Sequence, residues 1–203
     1  MNNSIFDPDQ QQEDISSKIV AGMERLSEVF KVLLWDKAKQ IGLSPIQIQI
    51  MLFIAFHKRE LCSVSHLAKE FNVTKPTVSD AIKVLIKKEF IEKDFSSPDS
   101  RSYYVLLTDS GKDLIGGIAD FADPLKQQVD SFDQEELEDL FSVISELIYK
   151  LNRGKILTVQ RTCYGCRYYQ KNKKIDYCTL LQKNLLSRDI RLDCPEFEEK
   201  LTA

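Results

Sequence analysis

Apolar residues recur every three or four positions along most of this chain, the period of a helix, and two short runs read as strands. From residue 12 to 41, Ile15, Ile19, Met23, Leu26, Phe30, Leu33 and Lys37 form one mostly apolar stripe, with Glu and Lys filling much of the remainder. That pattern predicts a single long helix. Ile41-Gly-Leu-Ser-Pro45 then supplies a C-cap glycine, an N-cap serine and a proline for a first helical turn. The segment Ile46 to Phe56 is apolar on several sides, which predicts a helix buried on more than one face. The alternation Ile46, Ile48, Ile50 also permits a strand, but length and cap favour the helix. Near the other end, Asp133 and Glu136 make a capping-box pattern ahead of a helix expected to reach about 153. Its seam is Leu137, Leu140, Phe141, Ile144, Leu147, Ile148 and Leu151. Such a seam, paired with a long first helix, is typical of a helical dimer interface. Packing inside its own domain is the plainer alternative.

Between these helices the pattern shortens. Ser63 to Phe71 predicts a short helix with Val64, Leu67, Ala68 and Phe71 on one face, and Asn72-Val73 predicts a turn. Thr74 suits an N-cap and Pro76 a first turn, after which Val78, Ala81, Ile82, Leu85 and Ile86 point inward. Lys75, Thr77, Asp80, Lys83 and Lys87 lie on or near the opposite side. Two short helices joined tightly, the second with a small polar start, predict a helix-turn-helix over 63–90. Ile91 to Phe95 and Ser102 to Leu107 read as strands of a hairpin, a wing over 91–107. Thr108 caps the next helix, which runs to about 129 with a break or kink at Pro124.

Composition adds three constraints. Seven glycines and six prolines in 203 residues are too few turn formers for a sandwich or barrel, so the fold class is mainly α with a small α+β element. No apolar run reaches a membrane span and no signal sequence stands at the start, so the expected location is the cytoplasm, with no membrane partner. The net charge of -3 is unevenly spread: residues 61–112 carry 8 basic and 7 acidic side chains, residues 113–157 carry 4 and 10, and residues 158–203 carry 9 and 6. An acidic total therefore leaves room for a local nucleic-acid-binding face, while arguing against indiscriminate coating of polyanions.

Three short motifs resemble the MarR family of winged-helix transcription regulators. They are Leu67-Ala68 with Val73-Thr74 and Thr77-Val78-Ser79 in the helix-turn-helix, Asp99-Ser100-Arg101 at the wing tip, and Leu107-Thr108-Asp-Ser-Gly111 after the wing. Helix order and length extend the resemblance over roughly 12–157. It implies a homodimer built from the long helices and bound to a pseudo-palindromic double-stranded DNA operator. Such a protein usually acts as a repressor released by a small-molecule effector or by oxidation. On this resemblance Arg101 enters the minor groove with Asp99 orienting it, and Lys75, Thr77, Ser79 and Lys83 contact DNA from the recognition helix. For each lysine a solvated surface charge is the plain alternative. Asp80 departs from the expectation, because an acid facing DNA must accept from a cytosine amine or repel phosphate.

Residues 158–203 lie outside that resemblance. Cys163, Cys166, Cys178 and Cys194 have the spacing C-x2-C-x11-C-x15-C, which lets four thiolates close on one tetrahedral ion. Zinc is the expected occupant and an iron–sulfur cluster the alternative, since four thiolates hold both. Gly165 is expected to permit an unusual backbone angle in the C-x2-C turn. Tyr164, Tyr168, Tyr169, Tyr177 and Phe197 are expected to form the small core of this module. Cys62 reads as a buried thiol, and His57 and His66 are left out of the metal site.

The chain is thus expected to divide into a flexible terminus (1–11), a winged-helix and dimerisation domain (12–157) and a four-cysteine metal-binding module (158–203). No nucleotide loop, catalytic triad or carboxylate pair points to an enzyme. Two readings from other classes stay open: a thiol–disulfide oxidoreductase using Cys163 and Cys166, and an interaction adaptor that has lost DNA binding. The module itself is expected either to brace the dimer helices or to report metal or redox state to them.

Overall fold

The computed structural model describes residues 4–96 and 102–200. Helices α1 (Pro8–Glu13) and α2 (Ile15–Ile41) are separated at Asp14, whose carboxylate caps α2 by accepting from the Ser16 and Ser17 N–H groups. Helical structure therefore begins at residue 8, ahead of the long helix. Gly42, at φ 67°, ends α2 in the left-handed conformation that glycine adopts without a Cβ penalty. The next helix, α3 (Pro45–Phe56), starts from a Ser44/Gln47 capping box. Six of its twelve residues are buried, so the alternating isoleucines belong to a helix at the centre of the core.

The helix-turn-helix consists of α4 (Val64–Glu70) and α5 (Lys75–Lys87). Leu67, Ala68, Val78, Ala81, Ile82 and Leu85 face inward onto Ile48, Ile50 and Met51 of α3. Strands β1 (Ile91–Asp94) and β2 (Tyr104–Leu107) pair antiparallel, Ile91 opposite Leu107 and Asp94 opposite Tyr104. The Val105 N–H also donates to the Cys62 carbonyl, which ties the strand pair to the segment before α4.

Helix α6 (Asp109–Ala119) gives way to a 3-10 turn over Asp120–Ala122, then α7 (Asp123–Val129) with Pro124 in its first turn. Helix α8 (Gln134–Arg153) begins with the Asp133/Glu136 capping box. The C-terminal part holds a small antiparallel sheet of β3 (Tyr169–Gln170), β4 (Asp176–Cys178) and β5 (Lys183–Leu185) in that order. Its core is Cys163, Leu185 and Ile190, with Phe141 of α8, Tyr164, Tyr169 and Cys178 against it. Tyr168 differs from expectation, its hydroxyl donating to Glu198 at the surface.

Two faces of the long helices remain uncovered. Ile15, Ile19, Leu26, Phe30 and Trp35 of α2 are exposed, as are Leu140 and Val143 of α8. The other side of α8 meets the C-terminal module through Phe141. Among the described residues, no single helix is long and apolar enough to cross a membrane.

Candidate nucleic-acid interface and thiol site

Helix α5 presents a polar start because its N-cap is built from hydroxyls. Thr74 Oγ1 accepts from the Thr77 N–H at 3.3 Å and lies 2.8 Å from Thr77 Oγ1. Lys75, Thr77 and Lys83 are exposed and Ser79 is half-buried, so all four predicted contacts lie at or near the surface of one helix. Lys83 donates to Asp80 at 2.9 Å, so the acid that looks out of place is balanced from the next turn. Asp99 and Arg101, the predicted wing-tip residues, lie outside the described residues. Nearer the wing base, Phe95 is exposed and meets Tyr103 at 5.9 Å, and the Lys93 ammonium stands over the Tyr103 ring at 4.5 Å.

The Leu-Thr-x-x-Gly motif acts at the wing base. Thr108 Oγ1 donates to the Glu89 carbonyl at 2.6 Å and accepts from the Gly111 N–H at 3.1 Å. The Thr108 N–H donates to the Phe90 carbonyl at 3.1 Å. Gly111 packs so closely that a Cβ there would sit 2.0 Å from that carbonyl oxygen. One threonine therefore joins the end of the helix-turn-helix, the return strand and the start of α6.

The four C-terminal cysteines come together. Cys163, Cys166, Cys178 and Cys194 all line one cavity of about 30 Å³, and none is in a disulfide. A 3-10 turn over Cys163–Gly165 presents the first pair, with the Cys166 N–H donating to the Cys163 carbonyl at 2.9 Å. Gly165 serves space rather than angle. Its φ is not positive, but a Cβ would meet Gln160 Nε2 at 2.1 Å, and that side chain is held by Thr162. The Arg191 N–H donates to Cys163 Sγ at 3.3 Å. Burial pushes the Cys163 thiol up; the Arg191 N–H offsets part of this, and the other cysteines add to it. As placed, no three His, Cys, Asp or Glu side chains among the described residues form a group able to hold a metal ion. The four cysteines line one cavity without being grouped closely enough, as placed, to ligate one ion. The donor set itself, four thiols with backbone N–H support, suits a soft thiophilic ion.

Sequence reasoning did not find the partners of Arg161. Its guanidinium forks onto Glu70 of α4 at 2.8 and 2.9 Å and also bonds Asp193, with its side chain only 10% exposed. His57 Nε2 lies 2.6 Å from Asp193 Oδ2, and the His57 ring stacks on Phe53 at 3.8 Å. His66 Nε2 stands 3.6 Å from Glu70, beyond hydrogen-bond length. Burial raises the Glu70 carboxyl, but the adjoining His66 and the Arg161 fork outweigh it and hold Glu70 below its ordinary value. Asp193 is likewise raised by burial and lowered further by Arg161 and His57. Beside this cluster runs a cleft of about 850 Å³, lined by His57, Lys58, His66, Lys69, Arg161 and Phe197 among others. Cys62 belongs to the core, 1% exposed, its thiol pushed up to about 11 by burial and then by Glu60.

A helix-turn-helix followed by a two-stranded wing, carried between long helices, defines a winged-helix protein. The MarR family model matches residues 41–102, from the end of α2 through the helix-turn-helix and β1. Solved structures give the same fold. The S. aureus MepR–DNA complex is 22% identical with a TM-score of 0.57, covering 65% of this chain and 97% of that one. A MarR transcriptional regulator from Methanosarcina mazei Go1 is 21% identical with a TM-score of 0.57, covering 68% and 97%. A MarR/EmrR family regulator from Acinetobacter sp. ADP1 is 25% identical with a TM-score of 0.57, covering 69% and 99%. About a third of this chain thus has no counterpart in each of them. No curated protein matches it.

Proposed function

We propose that this protein is a transcriptional regulator, a repressor that binds a pseudo-palindromic double-stranded operator as a homodimer in the cytoplasm. The observation that carries the reading is the capped, solvent-facing N-terminal half of α5 beside the wing, within the segment that matches the MarR family. Lys75, Thr77, Ser79 and Lys83 read the major groove and contact phosphates, and Arg101 with Asp99 serves the minor groove. The exposed apolar faces of α2 and α8 support the dimer, since faces of that length are costly to leave in water. The cleft of about 850 Å³ has the size of a small-molecule site and suits an effector.

The four cysteines bind a metal, zinc in the first reading, and their convergence on one cavity supports this. Zinc would hold together a segment too small to fold on a core of three buried side chains. An iron–sulfur cluster is the alternative occupant and would make the protein a redox sensor.

Selection of duplexes from a random pool by the purified protein tests the DNA reading. An operator with two half-sites is expected, and Arg101→Ala and Lys83→Ala should each weaken binding to it with folding intact. Losing a phosphate contact should also lower the salt slope by about one. Recovery of no preferred duplex overturns the assignment. Elemental analysis and a visible spectrum on protein purified without oxygen decide the metal. Colourless protein with about one zinc per chain supports the first reading, and iron with acid-labile sulfide supports the second. Protein free of both metals refutes metal binding.

A further inference from the structure

The thiol site and the helix-turn-helix share two short stretches of backbone. Arg161 and Asp193 face each other in a parallel bridge, with the Cys194 N–H donating to the Arg161 carbonyl at 3.1 Å. Two residues on, the Cys163 N–H donates to the Arg191 carbonyl at 3.1 Å, and the Arg191 N–H returns a bond to Cys163 Sγ. The segments 161–163 and 191–194 therefore carry Cys163 and Cys194 together with Arg161 and Asp193. Arg161 reaches Glu70, the last residue of α4, and its guanidinium lies 5.5 Å from the Phe53 ring centroid of α3. Thr158 bonds Asn72, which holds the turn of the helix-turn-helix at φ 53°, and Lys58 bonds Glu196. On its other side the module grips α8 through Arg188–Glu138 and the Tyr149–Tyr164 ring contact. The module thus spans from a long helix bearing an exposed apolar face to the element that reads DNA.

We propose that the module is a strut whose stiffness is set by metal at the four cysteines, and that Arg161 passes that state to α4. This rests on the metal reading above. With the ion bound, Cys163 and Cys194 are joined through it, the 161–163 and 191–194 segments are held in register, and Arg161 and Asp193 meet Glu70 and His57 preorganised. Without it, a few backbone bonds and the Arg161–Asp193 ion pair are left to hold the segments, the fork on Glu70 opens more readily, and α4 and its turn are freed relative to α8. Arg161 is a positioning residue and does not touch DNA.

Amide hydrogen exchange over residues 64–74 of the full-length protein tests this without needing an operator. Three states are compared: metal-loaded, chelator-stripped, and stripped then given Zn2+. Stripping should speed exchange there about tenfold, and Zn2+ should restore it. In the charge-balanced variant Arg161→Gln/Glu70→Gln, zinc stoichiometry should stay the same while exchange over 64–74 stops responding. Arg161→Lys, which keeps the charge and loses the fork, should respond in part. The affinity for the selected duplex should change with zinc by roughly 5- to 150-fold in the wild type and by less than about twofold in the double variant. Unaltered exchange in a wild-type protein that does take up zinc overturns the strut. So does a double variant that responds as the wild type does. A protein that takes up no zinc instead removes the metal reading beneath the proposal, and the separate stoichiometry measurement tells the two failures apart.

Discussion

Replacing Gly111 with alanine tests the architecture of the wing base. In an exposed helix this change is favourable by about 1 kcal/mol, because alanine loses less backbone freedom on folding. Here the new Cβ would stand 2.0 Å from the Phe90 carbonyl oxygen and 3.0 Å from its carbon. A carbon–oxygen contact settles near roughly 3.3 Å, so one backbone must retreat by about 1 Å. The Phe90 carbonyl also accepts from the Thr108 N–H, and the retreat stretches that bond. Overpacking of this kind costs about 1–3 kcal/mol and a weakened hydrogen bond about 1 more, against the gain of about 1. The net expectation is a loss of about 2 kcal/mol, or roughly 4–8 °C in melting temperature for a chain of this size. Gly117 lies in the same helix with nothing within 4 Å of its virtual Cβ, so Gly117→Ala is the internal control and should melt at or above wild type. Thermal unfolding at one fixed protomer concentration measures both, since the proposed homodimer would make the midpoint concentration-dependent. If Gly111→Ala melted as high as wild type, the close approach of α6 to the strand entry would be refuted.

Three further expectations follow from the same structure. With its thiol pushed from 9.0 to about 11, Cys62 should react with iodoacetamide at pH 8 about a hundredfold more slowly than in the unfolded chain, and peptide mass spectrometry would reveal fast labelling if the burial were wrong. Leu26→Glu/Phe30→Glu places two charges on the exposed face of α2 and should give monomers in sedimentation velocity; an unchanged dimer would put the interface elsewhere. Glu70 and Asp193 are held below their ordinary values of 4.5 and 3.8, so their contribution is full above those values and lost as pH falls through the lowered ones. The wild type should therefore lose melting temperature more steeply than Glu70→Gln as pH falls below 4.5, and parallel curves would dissociate Glu70 from this loss.

The sequence alone determined the long helices, the helix-turn-helix and the strand pair after it, and where several of them begin, but not α1 or the three-stranded C-terminal sheet. Ser44/Gln47, Thr74, Thr108 and Asp133/Glu136 are caps, and a cap is satisfied by atoms two or three residues away, so its signal is complete in the local order of residues. The inward faces of α4 and α5 were legible for the same reason, and so was the C-x2-C turn that presents Cys163 and Cys166. Other features depended on distant partners. Nothing local distinguishes Arg161 from the other eight basic residues of 158–203; the fold sets it against Glu70, 91 positions away. The seam of α8 reads as one surface in the sequence, yet the module takes Phe141 while Leu140 stays exposed. Gly111 is required by the Phe90 carbonyl standing where a Cβ would go, and Gly165 is crowded by the Gln160 amide, neither by its own backbone angle. Periodicity and capping report interactions within a turn or two of the chain. Which charge is desolvated, which face is covered and which glycine must stay bare are set by surfaces that meet only when the chain has folded.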